Sequence, residues 1–111
     1  MDKFMTVVSY GIPFHVKLIN KGEKYGLDHC LTHDKTDPLV EFYDARYVKN
    51  FESLGQFVSR YYLSTLINDK DNLICYGLNL HGGIPDWKIN SECMQQIYNW
   101  LEWVTKIKVE G

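Results

Sequence analysis

The sequence predicts an α+β fold in which an antiparallel β-meander of four to five strands packs against two α-helices on one of its faces. Three observations predict it: short apolar runs bounded by turn residues every ~8–12 positions, connections too short for parallel crossovers, and two segments with helical apolar spacing. Because 111 residues is an ordinary domain size, we expect residues 1–111 to form a single domain.

The strands are predicted by alternation of apolar and polar residues. In the second run, Phe14, Val16 and Leu18 point one way while His15 and Lys17 point the other. A turn at positions 10–13 precedes this run, so the first two strands should form a hairpin. The predicted strands are residues 4–9, 14–20, 25–31, 39–44 and 73–80.

Two helices are predicted by periodicity and by their start signals. The first should run over about 51–67, with Asn50 as its N-cap. The second should begin after Asn90, where Ile89 and Met94 occupy the two positions of a hydrophobic staple, and should continue to about 108. Its predicted core face consists of Cys93, Ile97, Trp100, Leu101 and Val104.

Composition narrows the classes of function. A net charge of −2, with basic residues scattered along the chain, argues against a duplex nucleic-acid binder. No apolar run approaches membrane length, and three cysteines without framework spacing suit a reducing compartment. We therefore expect a cytoplasmic protein with no membrane segment and no cofactor, and nucleic acid is not the expected partner.

The densest cluster of metal-ligand side chains consists of His29, Cys30, His33 and Asp34. Cys30 and His33 have a workable separation, but a structural zinc site normally needs a second ligand pair, which the sequence lacks. In a strand, His29 and Cys30 would also point to opposite faces. A small metal-binding protein or enzyme centred on these residues is the alternative reading of the chain.

Acidic residues concentrate between positions 28 and 44, a segment that contains five acidic residues and a single basic residue, Lys35. The simplest interpretation is a solvated face. A second interpretation is an acidic patch that binds a basic partner, since charge speeds and orients association.

Trp103 lies away from the core stripe of the last helix, beside Gln96 and Asn99. An exposed indole there is a candidate binding hot spot, whereas cover by another part of the chain is the alternative. Together with the acidic segment and the loop before the last helix, this predicts a small protein-interaction module, such as a phage- or plasmid-type accessory protein or an inhibitor of a host enzyme. Its partner would be a larger protein, and a homodimer is compatible with the sequence. The predicted binding residues are Asp34, Asp37, Glu41, Asp44, His81, Trp87 and Trp103.

Overall fold

The computed structural model describes residues 3–19, 38–48, 53–80 and 87–105. Its central element is a four-stranded antiparallel sheet whose spatial order follows the chain order. The predicted α+β class and the meander are therefore confirmed. The four strands are β1 Lys3–Ser9, β2 Ile12–Ile19, β3 Leu39–Asp44 and β4 Gln56–Tyr62.

The β1–β2 hairpin turns on two residues. Tyr10 and Gly11 have φ angles of 51° and 80°, and Ser9 pairs with Ile12 across the turn. Two positive φ angles are typical of a type I′ turn, whose twist matches that of the flanking strands. The predicted hairpin is confirmed.

The helix predicted over 51–67 is wrong for most of its length. Residues 56–62 form β4, which pairs with β3, and only the short helix α1, Leu63–Asn68, follows it. Aromatic and β-branched side chains such as Phe57, Val58 and Tyr61 suit a strand as well as a helix. Pairing with β3 outweighs the helical spacing in this segment.

The strand predicted over 73–80 is also wrong. Its first half belongs to helix α2, Lys70–Tyr76, which ends at Gly77 with a φ of 81°. Only β5, Leu78–Asn79, is extended, and it pairs with β6, Lys88–Ile89. Alternation over a few residues cannot separate a strand from two turns of helix. The strand predicted at 25–31 lies outside the described residues.

The last helix, α3, spans Ser91–Thr105. As predicted, Asn90 caps it: Oδ1 accepts a hydrogen bond of 2.9 Å from the Cys93 amide. The staple residues Ile89 and Met94 are both fully buried. Of the predicted core face, three residues are buried, namely Cys93, Ile97 and Leu101. The other two, Trp100 and Val104, are partly buried and pack against the core.

One face of the sheet forms the core together with the helices. Phe14, Val16 and Phe42 are fully buried in one cluster with apolar residues of α1, α2 and α3. Within this layer, the Tyr98 hydroxyl donates to the Leu66 carbonyl, and burial raises the pKa of that phenol. No helix in the described segments is long and apolar enough to cross a membrane.

Candidate functional site

The opposite face of the sheet carries a different set of side chains. Strand register places them in two adjacent rows that cross all four strands. We call these two rows the open face. The first row is Thr6, His15, Tyr43 and Phe57, and the second is Phe4, Lys17, Glu41 and Arg60.

Two edge-to-face ring pairs lie on the open face. The Phe4 and His15 rings are 5.1 Å apart between centroids, and those of Tyr43 and Phe57 are 5.7 Å apart. Both distances are within the range of favourable aromatic pairs. Phe4 and Phe57 are nevertheless each 46% exposed. The open face therefore presents ordered aromatic surface to solvent.

Polar contacts hold these rings in position. The Tyr43 hydroxyl donates to Oε1 of Glu41 at 2.7 Å, while Arg60 donates to Oε2 through Nε at 2.9 Å and Nη2 at 2.7 Å. The Arg60 guanidinium also lies 5.3 Å from the centroid of the Phe57 ring. These contacts stabilise the observed arrangement of the Tyr43 and Phe57 rings.

The open face is bounded at one end by a contact of His15 and at the other by buried residues. Nδ1 of His15 lies 2.8 Å from the Leu54 carbonyl oxygen, which joins β2 to the segment before β4. At the other end, Ile19 and Leu39 share this side of the sheet but are 7% and 1% exposed.

The solvated acidic face expected around Glu41 and Asp44 is not what the structure shows. Glu41 is 4% exposed and Asp44 is fully buried. Each carboxylate binds an arginine of the same sheet region, Arg60 for Glu41 and Arg46 for Asp44, in both cases at 2.7 Å. Burying a carboxylate without such a partner is very costly, which explains the pairing.

Trp87 is likewise internal, because only 3% of it is exposed. Its Nε1 donates a hydrogen bond of 2.8 Å to Oδ2 of Asp44. Burial alone would raise the pKa of Asp44, but hydrogen bonds from Arg46 and Trp87 outweigh it and lower that pKa below its ordinary value. Asp44 and Trp87 are thus engaged inside the protein and do not lie on the open face.

Trp103 is exposed over 70% of its surface, in agreement with its predicted position away from the core stripe. Cys75, in the segment for which the sequence predicts a strand over 73–80, is exposed near the end of α2. The remaining predicted binding residues, Asp34, Asp37 and His81, lie outside the described residues. His29, Cys30 and His33 lie outside them as well, so the metal-binding alternative stays a prediction.

Within residues 3–19, 38–48, 53–80 and 87–105, no group of three His, Cys, Asp or Glu side chains is arranged to hold a metal ion. A depression of about 480 Å³ lies beside the open face, lined by Tyr47, Ser53, Gly55 and Gln56. Its lining offers hydroxyl and amide groups for hydrogen bonding.

Sequence reasoning did not identify the open face. Alternation did place His15 and Lys17 on the side of β2 opposite the core, which was the available signal. Phe57 was missed because its segment was read as a helix, and the contacts among the rings depend on strand register. No protein-family model, curated protein or solved structure matches this chain.

Proposed function

We propose that this protein is a small interaction module that binds a protein partner through the open face. The observation that carries the proposal is the exposure of Phe4 and Phe57, each 46%, on the helix-free side of the described sheet. Exposed apolar surface rimmed by polar groups is a common mark of an interaction site.

The defined positions of the aromatic side chains on the open face support a role in binding. Aromatic side chains have few rotatable bonds, and here neighbouring rings and Glu41 already restrict them. Less conformational entropy is then lost when a partner packs against them. Aromatic residues and arginine are enriched among the hot spots of protein interfaces. On the open face, Arg60 lies beside the Phe57 ring.

The partner is expected to present apolar side chains surrounded by hydrogen-bonding groups. The exposed ring surfaces of Phe4 and Phe57 would contact the apolar part. This differs from the acidic surface predicted from sequence, because Glu41 and Asp44 are buried and paired with arginines. The aromatic half of that prediction is retained in the proposal.

The test compares two exposed aromatic residues on different sides of the protein. Wild type, Phe57→Ser and Tyr76→Ser are immobilised and used to capture proteins from the cells of origin. The captured protein is then purified and titrated by calorimetry. Tyr76 is the matched control, since it is 72% exposed at the end of α2.

We expect Phe57→Ser to weaken binding about tenfold or more, and Tyr76→Ser to change it by about twofold or less. Equal binding by both variants contradicts the proposal. Release of the captured material by nuclease also contradicts the proposal, because it would mean that the open face binds nucleic acid. Exposed aromatic rings on a sheet can stack with unpaired bases. Circular dichroism of each variant confirms that the fold is retained.

A further inference from the structure

The strand β1 forms one edge of the sheet, since among the described strands it pairs only with β2. In a hairpin with a two-residue turn, the residues that flank the turn are a hydrogen-bonded pair, here Ser9 and Ile12. Hydrogen-bonded positions then alternate along the strand. The N–H and C=O groups of Phe4, Thr6 and Val8 therefore point away from β2.

A contact on the outer side of β1 agrees with this assignment. The Val8 carbonyl accepts a hydrogen bond from Sγ of Cys93, on α3, at 3.3 Å. This is a weak donor, and a carbonyl has a second lone pair. The edge therefore retains its capacity to pair with a strand.

Between Phe4 and Val8, β1 carries no charged side chain, proline or bulge. Natural edge strands are commonly guarded by charged side chains, proline or a bulge. Phe4, Thr6 and Val8 carry no charge, and their pairing with β2 runs without a register shift. All three are exposed, with Val8 at 60%. Such an edge favours addition of another strand.

The helix α3 contributes apolar surface on the same side. At 100° per residue, Gln96, Trp100 and Trp103 all lie within about 80° of Cys93. Trp100 is at the margin of the core stripe, and Gln96 and Trp103 lie beyond it. Because Cys93 contacts the outer edge of β1, this side of α3 adjoins that edge at Val8. Trp103 is 70% exposed, and Trp100 is partly buried. Two apolar features thus lie on one side of the molecule.

We propose that this side, formed by β1 and α3, binds a second copy of the chain. Two β1 strands pair antiparallel about a twofold axis that passes between their Thr6 residues, giving a continuous eight-stranded sheet. An axis perpendicular to the sheet keeps both α3 helices on the same face and brings their tryptophan-bearing flanks together. A twofold interface buries the same patch on both copies.

The register supports a second copy as the occupant. With Thr6 opposite Thr6, each Phe4 lies opposite Val8 of the other copy. Aromatic–β-branched and Thr–Thr pairs are among the stabilising cross-strand combinations. Every outward-pointing residue of β1 then has a suitable partner supplied by the same strand.

Charge and area are also consistent with self-association. Phe4, Thr6 and Val8 of β1 and Gln96, Trp100 and Trp103 of α3 are uncharged. Glu102 lies on the opposite side of α3 from Cys93, whereas Glu92 lies in the first turn of the helix, about 20° around the axis from Trp103. A seven-residue strand beside a 15-residue helix gives roughly 450 Å² of projected surface per copy. Specific interfaces bury about 800 Å² of accessible surface per partner, so we expect a dissociation constant in the micromolar range. This dimer does not depend on the open-face partner.

Sedimentation equilibrium over a range of concentrations tests the proposal. Wild type should pass from the monomer mass of 13.0 kDa towards twice that value. Thr6→Lys places two ammonium groups opposite each other on the axis and should weaken the dimer about tenfold or more, while Thr6→Val should keep it. A wild type that stays monomeric at millimolar concentration overturns the proposal, as does a dimer unaffected by Thr6→Lys.

A cross-link checks the register and does not depend on tolerance of the lysine. In a background with Cys30→Ser and Cys75→Ser, Thr6→Cys should form an intermolecular disulfide on mild oxidation, because facing residues in a hydrogen-bonded pair lie about 5.5 Å apart between Cα atoms. The matched variant Val8→Cys should not, since its two copies lie about 13 Å apart along the strands. Cross-linking of Val8→Cys but not Thr6→Cys contradicts the proposed register.

Discussion

The indole of Trp87 donates a hydrogen bond of 2.8 Å to Oδ2 of Asp44, a residue 43 positions earlier in the chain. Asp44 ends β3, and Trp87 directly precedes β6, so this contact joins the sheet to the segment that leads into α3. Arg46 completes the cluster by donating from Nε to Oδ1 and from Nη2 to Oδ2 of Asp44. Asp44, which the sequence predicts to be part of an acidic surface, therefore connects two layers inside the protein.

The first prediction concerns the indole N–H. Trp87→Phe keeps most of the buried aromatic volume but removes the donor to Asp44, which leaves a buried carboxylate with one partner fewer. We expect the free energy of unfolding to fall by about 2–4 kcal/mol, from the lost charge-assisted bond and the reduced packing. Urea unfolding followed by circular dichroism measures it. Trp103→Phe is the matched control, with an expected change of about 0.5 kcal/mol or less, because Trp103 is 70% exposed. Similar losses for the two variants would show that Trp87 has no special role.

The second prediction is a pH dependence that originates at Asp44. Its pKa is lower in the folded protein than its ordinary value of 3.8. The stabilisation from the ionised carboxylate is therefore fully present above the unfolded pKa and is lost as the pH falls through the folded pKa. Asp44→Asn lacks this contribution at every pH.

Comparing wild type with Asp44→Asn isolates the effect from that of other carboxylates. We expect wild type to be more stable at pH 7, and the difference in unfolding free energy to shrink as the pH falls below about 4. Urea titrations at several pH values between 7 and 2.5 provide the measurement. A difference that stays constant over this range would mean that Asp44 is not the titrating group.

Local signals were sufficient for some elements and insufficient for others. The start of α3 was predictable because Asn90, Ile89 and Met94 act within one turn of each other. The β1–β2 hairpin was predictable because its alternation and its turn are adjacent in sequence. Segment 56–62 was not, since its strand state depends on pairing with β3, which apolar spacing does not encode.

For the candidate site, local sequence signals were likewise insufficient. Sequence could locate carboxylates at positions 41 and 44, but their burial depends on Arg60 and Trp87, which lie far along the chain. A count of local charge treats both as surface groups. The exposure of Trp103 was predictable, by contrast, because it follows from the helical period alone.

The third prediction concerns Ser9, which is fully buried at the end of β1. Its hydroxyl donates to the Lys88 carbonyl and accepts a hydrogen bond of 3.0 Å from the Asn90 amide, so one side chain joins β1 to the start of α3. Ser9→Ala leaves both backbone groups without this partner. We expect a loss of about 1–3 kcal/mol in the free energy of unfolding. Thr65→Ala, at an exposed position of α1, should change it by about 0.5 kcal/mol or less. Hydrogen exchange of the Asn90 amide gives a second readout, and unchanged protection in Ser9→Ala would contradict the assignment.

The fourth prediction separates backbone conformation from steric contact. Gly55 has a φ of 115°, and a Cβ atom there would lie 2.2 Å from the carbonyl oxygen of Asp44. Gly11 has a φ of 80°, but a Cβ atom there would have nothing within 4 Å. Both positions favour glycine for its conformational freedom, yet only Gly55 lacks space for a side chain.

We therefore expect Gly11→Ala to lower the free energy of unfolding by about 1 kcal/mol, the cost of a positive φ in a non-glycine residue. Gly55→Ala should lower it by about 3 kcal/mol or more, because relief of the contact requires β3 or the segment before β4 to shift. Movement of that segment would also displace the Leu54 carbonyl from His15 and disturb the open face. Parallel urea titrations and amide chemical shifts measure the two effects. Equal losses of unfolding free energy for the two variants would contradict this prediction, because they would mean that the contact of a Cβ atom at position 55 with the Asp44 carbonyl is relieved at no cost.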